Sequence, residues 1–96
     1  MRNDAQSAVV QARVCRDAGE PVGALRVLRR AAKRSPKDVQ ILYALGLELE
    51  EQEQNKQSAK ILRRAIQLSP DSADLLNALG NAEQGARGPE AALDYY

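Results

Sequence analysis

Leu28-Arg29-Arg30-Ala31, Ser35-Pro36 and Ala44-Leu45-Gly46 return 34 positions later as Leu62-Arg63-Arg64-Ala65, Ser69-Pro70 and Ala78-Leu79-Gly80. A fixed period of this length in a helical sequence marks stacked helix hairpins rather than one closed core, because each repeat buries its apolar face only against its neighbours. Function then becomes a question about surfaces.

Outward from that stretch, caps and apolar periodicity lay out six helices. The first starts after Asn3 or Asp4 and ends at Gly19, a natural left-handed stop. Pro21 opens the second, which carries Val22, Leu25, Val27 and Leu28 and ends near Arg34. Ser35-Pro36-Lys37-Asp38 resets the chain, with Ser35 read as the N-cap, Pro36 as the first helical residue and Asp38 favouring the positive end of the dipole. The third helix places Val39, Leu42, Leu45, Gly46 and Leu49 on one stripe. No glycine marks its end, so it is expected to run on through Glu53 and turn around Asn55. The fourth spans about Lys56 to Leu68, and Ser69-Pro70-Asp71-Ser72 repeats the reset. The fifth holds Leu75, Leu76, Leu79, Gly80 and Ala82 and is expected to stop in Gly85-Ala86-Arg87-Gly88, with Pro89 opening a short sixth helix cut off at Tyr96.

Leu45-Gly46 and Leu79-Gly80 stand among large residues on the first helices of the second and third hairpins, small residues dot the second helices, and Pro36 and Pro70 follow the first two units. The middle repeat supplies Leu42, Leu45-Gly46, Leu49, then Ser58, Leu62, Ala65 and Pro70. The third supplies Leu76, Leu79-Gly80, Ala92 and Tyr96, and the first has Ala12, Cys15, Gly19, Ala24, Leu28, Ala31 and Pro36. This pattern resembles the tetratricopeptide repeat. It departs at Ala8 and Gln11 and at Glu83, where the family prefers bulky residues, and Ser58 stands where alanine is usual. The resemblance implies an all-α fold, a right-handed α-solenoid of antiparallel hairpins. It covers the chain as a single domain, 1–96, in repeats of about 3–36, 37–70 and a truncated 71–96. Gly46 and Gly80 are expected where the two helices of a hairpin cross, and Ala31 and Ala65 where a second helix meets the next repeat. Small side chains there let axes approach to the short end of the ~8 to 10 Å range.

Composition narrows the function classes. The chain has 96 residues, 44% hydrophobic and 3% aromatic, so Leu, Ile, Val and Ala must build its core. It contains no His, which removes Ser-His-Asp and Cys-His catalysis and the commonest metal ligand. The lone Cys15 cannot form an intrachain disulfide and reads as core filler on the first helix. Gly85-Ala86-Arg87-Gly88 follows a helix rather than a strand and lacks a phosphate loop's Lys-Ser/Thr. Glu48, Glu50, Glu51 and Glu53 lack calcium-loop spacing and read as a solvated acidic face. No cofactor, metal or catalytic residue is therefore assigned. The apolar patch Ala8-Val9-Val10 is far shorter than a signal or membrane segment, which reads as a cytoplasmic chain.

Charge is graded along the chain. Residues 1–36 hold eight basic and three acidic side chains, residues 37–70 five of each, and residues 71–96 one basic and five acidic. The basic end is mostly Arg26, Arg29, Arg30, Lys33 and Arg34, which read as a solvated outer face. Nucleic acid is not an expected partner, since no continuous basic face with interleaved aromatics is evident.

In the family, first helices line a concave groove that holds an extended peptide or a partner helix. The groove positions implied here are Gln6, Val9, Arg13 and Arg16, then Gln40, Tyr43, Leu47 and Glu50, then Asp74, Asn77, Asn81 and Gln84. Val9, Arg13, Arg16, Gln40, Tyr43, Leu47, Asn77 and Asn81 are the candidate binding residues. Tyr43 and Leu47 form the apolar centre, and the arginines and asparagines form polar flanks. The Lys, Asn and Arg clamp by which some family members hold a chaperone's terminal carboxylate is not matched by Val9, Arg13 and Asp74. The expectation is a non-catalytic scaffold for another protein, with neither nucleic acid nor membrane as partner. Two other readings stay open: a self-assembly module that buries its open C-terminal face, with Leu93, Tyr95 and Tyr96, in a homo-oligomer, and the leading segment of a larger enzyme or secretion component.

Overall fold

The computed structural model describes the backbone of residues 4–93 and the side chains of residues 7–86. Five helices follow one another: α1 Asp4–Asp17, α2 Pro21–Arg34, α3 Val39–Glu51, α4 Asn55–Leu68 and α5 Ala73–Leu93. α1 packs on α2 and α3 on α4 as hairpins, and α2 and α4 each pack on the helix that follows. α1 also touches α3, and α3 touches α5, whereas α2 and α4 make no backbone approach to one another. The first helices thus form the closer layer, and the second helices splay apart on the outside. This is the helical repeat solenoid the period implied.

Local chemistry sets each corner. Pro21 stands in the first turn of α2, where its missing N–H would have no helical partner anyway. Ser35 does not cap α3: its N–H still donates to the Ala31 carbonyl at 2.9 Å, completing α2. Asp38 is the N-cap instead, its carboxylate accepting from the amides of Gln40 at 3.0 Å and Ile41 at 3.4 Å. The reason is the intervening turn, in which the Asp38 N–H donates to the Ser35 carbonyl at 3.1 Å and Pro36 occupies the position a turn prefers for proline. Ser72 plays the Asp38 part for α5, accepting from the Leu75 amide at 3.3 Å.

The α1–α2 and α3–α4 corners are the same motif. After α1, Glu20 N–H donates to Cys15 O at 2.8 Å and Gly19 N–H to Arg16 O at 3.0 Å, with Gly19 at φ +79°. After α3, Gln54 N–H donates to Leu49 O at 2.8 Å and Glu53 N–H to Glu50 O at 2.9 Å, with Glu53 at φ +61°. Both are Schellman closures, which place one residue in the left-handed region to satisfy the last carbonyls. The expectation that α3 runs through Glu53 fails for this reason: the paired bonds hold the corner although the residue is not glycine.

The core is aliphatic. Leu42, Leu62, Ala65, Leu75, Ala78 and Ala82 cluster between α3, α4 and α5, and Leu25, Leu28, Leu45 and Leu49 cluster between α2 and α3. Ala31 is fully buried against Ile41 of the next hairpin, as its small size implied. Cys15 is half-buried against the second cluster, consistent with core filler. Val22, placed on the apolar stripe of α2, is instead 66% exposed.

Gly46 is a true crossing: a Cβ built there would lie 2.6 Å from Leu62 Cδ2. The buried Ser58 hydroxyl donates to the Gly46 carbonyl at 2.7 Å, so serine at the usual alanine position ties the two helices together. Gly80, its repeat equivalent, has nothing within 4 Å of such a Cβ. The difference follows from α5, which does not stop at Gly85-Ala86-Arg87-Gly88 but continues through Pro89 to Leu93 as one 21-residue helix. Among the described residues positive φ occurs only at Gly19 and Glu53, so no left-handed residue turns the chain back here. Among the described residues no returning helix meets Gly80, and Leu76 beside it is 52% exposed. Gly85 is a close approach rather than a corner, since its Cβ would lie 2.6 Å from the Asn55 amide at the start of α4. The repeat position Ala92, and Leu93, Tyr95 and Tyr96, on which the open C-terminal face was expected to rest, lie outside the described side chains.

α2 bears Arg26, Arg29, Arg30, Lys33 and Arg34, and α4 bears Lys56, Lys60, Arg63 and Arg64. Neither helix contains an acidic residue, and all of these cations are exposed.

Candidate groove between the first helices

Val9, Arg13 and Arg16 recur at helical spacing on α1, as do Gln40, Tyr43 and Leu47 on α3, so each set projects from one helix face. Because α1 and α3 lie side by side, the two sets face a shared groove of about 680 Å³, also lined by Val10, Ala12, Leu28, Ala44 and Glu48. Six of the eight candidate residues are thus brought together. Asn77 and Asn81 are exposed on α5 and do not line it. Asp74 and Gln84 are likewise exposed on α5, Glu50 is half-buried on α3, and the Gln6 side chain lies outside the described residues.

The groove is apolar in its middle and polar at its ends. Tyr43 and Leu47 are half-buried, each packed against the cluster around Leu42 and Leu75, so their outer surfaces alone face the groove. Val10 is 51% exposed at the rim, and Ala12 and Ala44 keep the walls thin. Ala12 occupies the register of Gly46, and small side chains at that level leave space that larger ones would fill.

One end is closed by a polar knot. Glu48, read from sequence as part of a solvated acidic face, is only 4% exposed. Its carboxylate lies 3.6 Å from the Arg16 guanidinium and accepts from Gln52 Nε2 at 3.1 Å, and the same nitrogen donates to the Pro21 carbonyl at 2.9 Å. Arg16 also reaches Glu51 at 3.9 Å. A buried carboxylate needs such partners, since an uncompensated charge in the interior is strongly unfavourable. The knot ties α1, α3 and the start of α2 together, so Arg16, itself exposed, is held by partners within the fold, and Arg13 stands exposed on the rim. The repeat equivalent of Glu48 in the third repeat is the buried Ala82. Its equivalent in the first repeat, Val14, is 62% exposed, so register in the sequence did not signal that Glu48 faces inward.

Among the described residues no group of three or more His, Cys, Asp or Glu is arranged to hold a metal ion, and no helix is long and apolar enough to cross a membrane. No curated protein matches the chain significantly. The tetratricopeptide repeat family model matches residues 9–73 and, in a second overlapping placement, residues 43–96. With the 34-residue period, the hairpin stack and the tight Gly46–Leu62 crossing, these matches show that the chain belongs to the tetratricopeptide repeat family.

Proposed function

We propose that this chain is a non-catalytic scaffold, one repeat domain spanning 1–96, that holds a peptide or helix of a partner protein in the groove between α1 and α3. Tetratricopeptide repeats in general mediate protein–protein interaction and are typically without catalysis. The observation that carries the reading is the convergence of Val9, Arg13, Gln40, Tyr43 and Leu47 on one open groove whose floor is already packed. A preformed groove spares a ligand the expense of ordering its receptor. An aromatic ring with a polar tip at its centre matches the residue type that anchors interfaces, and the exposed Arg13 favours an acidic side chain at that end of the ligand.

Selection from a displayed peptide library against the immobilised chain tests this. Selected peptides should share an apolar residue near an acidic one, and they should perturb the amide resonances of Tyr43, Ala44 and Leu47. Arg13→Glu, at an exposed position, should leave the helical circular dichroism intact and weaken binding at least tenfold. Selected peptides that leave the α1 and α3 resonances unmoved and bind the Arg13→Glu protein equally well would refute the groove.

A further inference from the structure

Because α2 and α4 do not approach one another, a cleft of about 530 Å³ runs between them. Leu45 and Leu49 of α3 form its floor, and Ala32 and Ile61, both half-buried, form its walls. Arg29, Lys33 and Lys60 stand along its rim, all exposed, and Arg29 donates across the gap to Gln57 Oε1 at 2.9 Å. The two helices that border the cleft carry only positive charge.

We infer that this outer cleft binds an acidic amphipathic segment of a partner protein, with apolar side chains entering between α2 and α4 and carboxylates meeting Arg29, Lys33 and Lys60. Charge complementarity selects an anionic partner, since neither flanking helix holds an acid to repel it. The concave apolar floor selects a polypeptide. A phosphate backbone has no side chain to place there, and stacking of unpaired bases calls for aromatic rings, which neither α2 nor α4 supplies. A lipid surface is broad, and the apolar atoms here lie at the bottom of a cleft rather than on a protruding face. Carboxylates rather than phosphates, with leucine-like side chains at helical spacing, fit both features.

The probe is a fluorescent peptide with leucines at helical spacing and glutamates elsewhere, followed by anisotropy on the full chain. Comparison probes are polyglutamate of equal charge, single-stranded DNA and phosphatidylserine vesicles. The amphipathic peptide should bind most tightly, weaken as salt rises, and lose at least tenfold affinity in Lys33→Glu/Lys60→Glu, whose helical circular dichroism should match the parent. Ile61→Ser should weaken the amphipathic peptide and leave the residual affinity for polyglutamate unchanged. Polyglutamate, DNA or vesicles binding as well as the peptide would overturn the proposal, as would peptide binding that survives Lys33→Glu/Lys60→Glu. Loss of peptide binding in Arg13→Glu, with Lys33→Glu/Lys60→Glu unaffected, would assign the peptide to the concave groove and equally overturn it.

Discussion

Glu53→Gly should stabilise this protein. Glu53 adopts φ +61° to close the corner after α3, a geometry that glycine supplies at the matching corner after α1, where Gly19 has φ +79°. A left-handed conformation is unfavourable by about 1 to 2 kcal/mol for a residue with a Cβ. Glycine removes that strain but gives the unfolded chain more freedom, worth about 0.4 to 1 kcal/mol in the other direction. The carboxylate also lies just past the C-terminal end of α3, where negative charge opposes the helix dipole by about 0.3 kcal/mol or more. The balance favours glycine by about 0.3 to 2 kcal/mol, which for a domain of this size is a rise of about 1 to 15 °C in Tm. Two controls separate the causes: Glu53→Gln removes the charge alone, and Glu53→Ala removes the charge while keeping the strained φ, so each should gain only a few tenths of a kcal/mol. Gly19→Ala is the mirror experiment, since nothing lies within 4 Å of the added Cβ and only the backbone strain is felt. It should be destabilising by about 1 kcal/mol. Urea denaturation followed by far-UV circular dichroism reads all four variants. If Glu53→Gly were no more stable than Glu53→Ala, the corner would not need a left-handed residue, and α3 would continue through Glu53 as its local sequence suggests.

Gly46→Ala should be destabilising by about 1 to 3 kcal/mol, because its Cβ would lie 2.6 Å from a fully buried Leu62. Gly80→Ala, at the same repeat position with open space around it, should instead stabilise α5 by up to about 1 kcal/mol through helix propensity. Equal denaturation midpoints for the two would refute the difference in their surroundings. Ser58→Ala should be destabilising by about 0.5 to 1.5 kcal/mol, the worth of its hydrogen bond to Gly46, because the helical geometry of α3 leaves that carbonyl another donor. A loss above about 3 kcal/mol would mean the carbonyl depends on the hydroxyl alone. Tyr43→Ala should lower stability measurably as well as weaken groove binding, since the side chain is partly buried against the core. An unchanged melting temperature would place the whole ring in solvent.

The repeat and the all-α class were legible in the sequence, because a 34-residue period and 3.6-residue helical spacing are properties of the chain itself, whereas the groove positions Val9, Arg13, Tyr43 and Leu47 came from the resemblance to the tetratricopeptide repeat. Caps were legible to within a turn: Ser-Pro-Lys-Asp announces a helix start, but the cap is Asp38, since Ser35 is still bonded to the preceding helix. What local sequence could not decide were the features whose partners come from elsewhere. Glu53 turns left-handed only because the carbonyls of Leu49 and Glu50 need donors within a hairpin that packing holds closed. Glu48 is inside rather than on a solvated face because Arg16 from α1 and Gln52, itself anchored to Pro21, meet its carboxylate. Gly80 repeats the sequence of Gly46 without its crossing, since α5 continues where α3 turns back. Asn77 and Asn81 share the register of Tyr43 and Leu47, yet the groove forms between α1 and α3 alone. Periodicity specifies which face of a helix is apolar, whereas which helix comes to lie against that face depends on the free energy of contacts made across the whole stack.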